Sequence, residues 1–122
     1  MQSNKASKRY AKALFVTAKE KEKAKRVFLD CNNILTILNK EEKLNQLIKN
    51  PTIKKTIKIN VFEKLFINHV GKITMDFLIL VIQKGREVMI KDIVEYYKEL
   101  YNIDNNITVA EVISSKKLSK DL

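Results

Sequence analysis

Residues 7–18, SKRYAKALFVTA, place small and apolar side chains at helical spacing round too much of the helix for one buried face. At about 100° per residue, Ala6, Tyr10, Ala13 and Thr17 stack on one side with Leu14 beside them, while Ala18, Ala11 and Phe15 continue to the far side. Lys5, Lys8, Arg9, Lys12, Lys19 and Glu20 share the remaining sector. The low-polarity arc is roughly 200° wide, whereas a helix resting on a single core needs about 100°. Phe15, Ala11 and Leu14 are the core candidates, because bulky groups there bury the most area. The Ala6, Tyr10, Ala13, Thr17 side offers small residues and one aromatic ring. It either receives a second body or is covered by the rest of the chain.

Helical spacing continues downstream. Residues 23–38 put Ala24, Val27, Phe28, Cys31, Ile34, Leu35 and Leu38 on one stripe, and 41–48 turn Leu44, Leu47 and Ile48 inward. Asn50 and Pro51 end that short helix, since proline disfavours the helical region for the residue before it and lacks an N–H of its own. Residues 54–66 are expected to bury Ile57, Val61, Phe62, Leu65 and Phe66, with Gly71 as a left-handed stop soon after. Residues 72–84 follow. Their core, FLILVI at 77–82, is apolar at nearly every azimuth, so this helix is either central or divided between core and partner. Gly85 breaks the run, and 87–101 return to amphipathic spacing through Met89, Ile90, Ile93, Val94, Tyr97, Leu100 and Tyr101. Six helices with short connections predict an all-α, compact six-helix bundle.

Composition agrees with that architecture. A chain of 122 residues, 45% hydrophobic, suffices for one real core, and two glycines with one proline leave little material for the turns of a strand-rich fold. No stretch approaches the ~20 apolar residues of a membrane span, and MQSNKASKR lacks the apolar region of a secretory signal, so a soluble, unprocessed protein is expected. The single cysteine, Cys31, lies on an apolar stripe and reads as a buried structural thiol in a reducing compartment.

The net charge of +10 raises nucleic acid as a partner, but its make-up argues against specific reading. All the surplus lies in the first 58 residues, and only Arg9, Arg26 and Arg86 among the 24 basic residues are arginine, the side chain best suited to guanine edges and phosphates. The lysines, with 15 isoleucines and 11 asparagines, match the codon bias of an AT-rich genome. Lysines on solvated helix faces are the simpler account.

Four motifs carry a family resemblance. RYAKALF at 9–15, NP-x-I at 50–53, FLILVIQKGR at 77–86 and AEVISSKKLS at 110–119 are similar, in order and spacing, to the delta subunit of bacterial F-type ATP synthases, the oligomycin-sensitivity-conferring protein of mitochondria. The resemblance covers essentially the whole chain. It implies a six-helix N-terminal domain in the peripheral stalk that binds the N-terminal helix of one alpha subunit between its first and fifth helices. Those two helices carry the surplus apolar surface.

In one segment the chain departs from the family. ITVAEVI at 107–113 alternates like an extended strand, and Leu118 and Ser119 look like the start of a helix that is not built. One strand cannot satisfy its own backbone. The expectation is therefore an excised six-helix domain over 1–105 and a short extended, unpaired C-terminal tail over 106–122, the start of a truncated region. In the family, the missing part contacts the membrane-anchored stalk subunit.

No catalytic constellation is legible. His69 stands apart from any cysteine or carboxylate cluster, so neither a metal site nor a cofactor is expected, and Gly71 and Gly85 are isolated rather than part of a phosphate loop. Asp76 reads as a helix N-terminal dipole partner, Glu41 and Glu42 as first-turn acids, and Arg86 as a ligand for helix-end carbonyls or a carboxylate, with contact to a partner as the alternative. The reading is a non-enzymatic stator module at the cytoplasmic face of the bacterial inner membrane, or its organelle equivalent, serving proton-driven ATP synthesis without inserting into the bilayer. Tyr10, Ala13, Leu14 and Thr17 of the first helix and Phe77, Leu80, Val81 and Lys84 of the fifth are the expected groove residues, with Lys84 at the rim. The alternative is a helical RNA-binding module of the antitermination-factor type, weakened by the arginine shortage and the lack of an aromatic stacking platform.

Overall fold

The computed structural model describes residues 3–116, with side-chain surroundings given for 5–106. Six helices follow one another: α1 (Ser3–Glu20), α2 (Ala24–Lys40), α3 (Glu42–Lys49), α4 (Lys55–Phe66), α5 (Lys72–Gln83) and α6 (Ile90–Lys116), the last entered through a 3-10 turn at Glu87–Met89. No strand occurs among the described residues. The all-α bundle expected from periodicity is therefore what forms.

α6 is the central post. It lies along α1 and α2, while α4 packs on α5. Ile90, Ile93, Val94 and Tyr97 on α6 are buried against Ala11, Leu14 and Ala18 of α1 and Val27, Cys31 and Ile34 of α2, in a core that also holds Phe62, Phe66, Leu78, Val81 and Ile82. Aromatic pairs reinforce both seams: Phe15 meets Tyr97 edge-on at 5.7 Å, and Phe28 stacks on Tyr101 at 4.4 Å. The Tyr97 hydroxyl donates to the Ala24 carbonyl at 2.8 Å, and burial holds this phenol well above its ordinary range. Burial, with the Asp30 carboxylate as a lesser cause, likewise pushes the Cys31 thiol up, so it stays protonated at neutral pH.

Two helix ends use the same closing motif. At Gly85 (φ 73°) the amide bonds the Ile82 carbonyl and the Arg86 amide reaches back to Val81, which caps the last carbonyls of α5. α1 ends identically at Glu22 (φ 59°), with Glu22 bonded to Lys19 and Lys23 to Ala18. A glutamate there accepts a left-handed backbone that glycine would adopt without strain.

Gly71 is not a left-handed stop: its φ is −82° and it precedes α5 as an extended cap. That position is held from α2 instead. The buried Asp30 carboxylate accepts the Gly71 N–H at 2.9 Å and the Thr74 hydroxyl at 2.7 Å, while Arg26 donates to its other oxygen at 2.8 Å. Asp76, expected to answer the α5 dipole, lies beyond the first turn and pairs with Lys72 at 3.1 Å.

Ile57, expected inside, is half exposed, and Lys58 is buried in its place. The Lys58 ammonium donates to Glu87 at 2.5 Å and to the Ile48 carbonyl at 3.1 Å, one of the last carbonyls of α3. A lysine on a helix of mixed polarity looks solvated to any pattern count. Only the partner 29 residues later shows why it is not.

Beyond residue 105 the backbone of α6 continues as helix through Lys116, over the stretch where alternation predicts an extended segment. Leu100, Ile103, Ile107, Ala110 and Ser114 keep the helical spacing, which a period-two pattern hides. The unpaired tail expected over 106–122 concerns side chains from residue 107 onward, and these, with Leu118 and Ser119, lie outside the described residues.

The buried Lys58–Glu87 pair yields a stability prediction. Lys58→Met should cost about 3–5 kcal/mol in denaturant unfolding, because it leaves a buried carboxylate unpaired. Lys58→Met combined with Glu87→Leu should recover most of that loss. A single-variant loss under about 1 kcal/mol would show that the pair is solvated and does not tie α4 to the α5–α6 turn.

Candidate functional site

α1 meets the core through one narrow stripe of mostly small side chains, Ser7, Ala11, Leu14 and Ala18. The neighbouring stripe, Tyr10, Ala13 and Thr17, is turned towards α5. These two helices do not approach closely at the backbone; the gap is bridged by side chains, with Tyr10 meeting Phe77 edge-on at 6.3 Å and 73°. What remains is an apolar groove of about 380 Å³ lined by Tyr10, Ala13, Leu14 and Thr17 from α1 and Ile73, Phe77 and Leu80 from α5, with Lys21 and Asp76 as its polar members. Leu14 forms the floor and is 3% exposed, whereas Leu80 on the wall is 42% exposed. Ala13 is open to solvent.

The open question about FLILVI is answered by burial. Leu78, Val81 and Ile82 face the core, Phe77 and Ile79 are half-buried and Leu80 is exposed, so α5 divides its apolar surface between interior and groove. Its buried face is fixed at one end by Asp30 on Gly71 and Thr74, and at the other by the Gly85 turn.

The groove offers shape and apolar area rather than reactive chemistry. Among the described residues no group of three or more histidine, cysteine or carboxylate side chains is arranged to hold a metal ion. Cys31 is buried and its thiol protonated, and His69 is an exposed residue whose carbonyl accepts a hydrogen bond from Asn33 at 2.8 Å. No helix among the described residues is long and apolar enough to cross a membrane.

A family profile for the ATP synthase delta (OSCP) subunit matches residues 6–122. The chain belongs to that family. Among its relatives, the ATP synthase subunit delta of Brevibacillus brevis is 34% identical over 119 residues, covering 98% of this chain and 68% of the relative. The cyanelle subunit of Cyanophora paradoxa is 33% identical over 118 residues, 97% of this chain and 63% of the relative. The Desulforudis audaxviator subunit is 31% identical over 111 residues, 91% of this chain and 61% of the relative. The chain thus spans roughly two thirds or less of the delta subunits it matches.

Six of the eight residues that the sequence singles out within this delta-family chain line one groove: Tyr10, Ala13, Leu14, Thr17, Phe77 and Leu80. Two do not. Val81 is fully buried beneath the wall, because it lies one residue from Leu80 and therefore about 100° round the helix. Lys84, expected at the rim, caps α5 in an exposed position away from the groove lining. Arg86 was expected to bind helix-end carbonyls or a carboxylate; its side chain makes no such bond among the described residues, and the carbonyls are capped by backbone amides instead. Lys21 and Ile73, which the sequence reading does not name, also line the groove, as does Asp76, named there only as a dipole partner. Their signal was present, since Ile73, Phe77 and Leu80 follow the helical spacing backwards and Lys21 lies one turn beyond Thr17.

The two faces of α1 give the second prediction. Ala13→Trp should lower stability by no more than about 1 kcal/mol, mostly through helix propensity. Ala11→Trp, placed in a fully buried position, should cost on the order of 3 kcal/mol. Equal losses in thermal unfolding would mean that Ala13 is covered in solution.

Proposed function

We propose that this chain is a non-catalytic peripheral-stalk subunit of an F-type ATP synthase, binding the N-terminal helix of an alpha subunit in the α1–α5 groove. The observation that carries the reading is the groove itself: an apolar trough between two helices of a delta-family chain, with Ala13 and Leu80 uncovered by any other described segment. The subunit would hold the catalytic head against rotary torque while the remainder of the protein meets a membrane-anchored stalk subunit, at the cytoplasmic membrane face or its organelle counterpart. Residues 1–105 would form the head-binding unit and 106–122 the approach to the rest.

Apolar burial is well suited to that task. A guest helix covering ~500 Å² on each side would gain on the order of 25 kcal/mol gross, at ~25 cal/mol per Å², before association and ordering costs remove most of it. Exposed ion pairs at the rim add about 0.2–1 kcal/mol each and are screened by salt. Affinity should therefore reside in the apolar contact, with Tyr10 and Phe77 as its aromatic anchors. The RNA-binding alternative draws on the basic first half of the chain but has less support, because Phe28 and Tyr101, Phe15 and Tyr97, and Phe62 and Phe66 are paired within the fold and only Tyr10, Phe77 and Tyr96 are left half-buried elsewhere.

Calorimetry with a synthetic alpha-subunit N-terminal peptide from the same organism tests the proposal. Binding should show a clearly negative heat-capacity change and change less than about tenfold between low and high salt. Ala13→Trp should weaken it by at least about a hundredfold while the fold persists, since the indole fills the trough that the guest needs. Failure to bind the peptide, or an affinity that collapses by several decades with salt, would contradict the reading, and the salt-sensitive outcome would favour a polyanionic partner.

A further inference from the structure

The groove does not stop at Tyr10. A second recess of about 440 Å³ adjoins it, sharing Tyr10 and Ala13 and lined further by Ala6, Arg9 and Arg86. It lies where the first turns of α1 meet the turn that closes α5. The backbone of Arg86 is fixed there by its amide bond to Val81 and by the left-handed Gly85. Only three arginines occur in this lysine-rich chain, and the third, Arg26, is bound to Asp30 at 2.8 Å. Neither Arg9 nor Arg86 makes a side-chain hydrogen bond or ion pair with a described residue.

Two guanidinium groups without a partner among the described residues therefore border one end of an apolar trough. The other end has Lys21 and an Asp76 already paired with Lys72, so the trough is asymmetric in charge along its length. Like charges bordering one recess repel each other, and a carboxylate between them removes that repulsion. Guanidinium is also the cation whose planar fork matches a carboxylate through two parallel hydrogen bonds.

We propose that Arg9 and Arg86 form a carboxylate clamp at the Tyr10 end of the groove, so that the guest is an amphipathic helix with an acidic side chain at that end of its apolar stripe. This rests on the groove being a helix-binding site and adds the feature that fixes the register and direction of the guest. Apolar contact along a smooth trough tolerates sliding or reversal. A charge-matched end does not.

The test pairs two peptides with two proteins. One peptide is the alpha-subunit N-terminal segment, and the other is the same segment with every Glu and Asp replaced by Gln and Asn. The proteins are the full chain and its Arg9→Gln/Arg86→Gln variant, both positions being exposed and so expected to leave thermal unfolding unchanged. On the unaltered chain, removal of the carboxylates should weaken binding about tenfold, in keeping with charge-assisted hydrogen bonds. On the variant it should change affinity less than about twofold. An equal loss on both proteins overturns the clamp while leaving the groove intact. No binding of either peptide to the unaltered chain overturns the groove reading and the clamp with it.

Discussion

The packing of α6 against both α1 and α2 is the contact on which the rest depends. On α1 the buried stripe consists of Ser7, Ala11, Leu14 and Ala18, and three of these four are too small to hold helices apart. Small side chains let the helices approach closely, so a narrow sector of α1 suffices to anchor it, and Phe15 on the flank adds the ring contact with Tyr97. The neighbouring stripe with Tyr10, Ala13 and Thr17 is then left free of the core. A bulkier buried stripe on α1 would widen the seam with α6 and draw that second stripe into the interior.

The position of α5 opposite this stripe is set by polar groups rather than by apolar packing alone. Asp30 reaches from α2 to the start of α5, and Lys58 reaches from α4 to Glu87 just after the α5–α6 turn while also bonding the end of α3. Buried charges of this kind are costly wherever a partner is missing, as it is among the described residues for Glu87 Oε1, and they define one arrangement more sharply than interchangeable apolar contacts do. Here they hold both ends of α5. The distance from α1 to α5, and so the width of the groove, follows from residues that do not line it.

Much of this was legible in the sequence because it depends on helical period. The six helices, the buried stripe of α2 and six groove residues all follow from spacings of three and four along uninterrupted segments. The parts that were not legible depend on contacts between distant residues. Lys58 is inside because Glu87 and the Ile48 carbonyl meet it there, and Gly71 is a cap because Asp30, 41 residues earlier, takes its amide. Val81 was misplaced for a different reason: on a helix apolar all round, composition cannot tell the wall from the layer beneath it.

The central proposal is that the α1–α5 trough receives the N-terminal helix of an alpha subunit. Amide chemical-shift mapping of the isotopically labelled chain with the alpha-subunit N-terminal peptide tests it most directly. The account predicts that the largest shifts fall on Tyr10, Ala13, Thr17, Ile73, Phe77 and Leu80, with the exposed faces of α2 and α3 unaffected. Shifts concentrated on α2 and α3, with the trough residues unmoved, would contradict it.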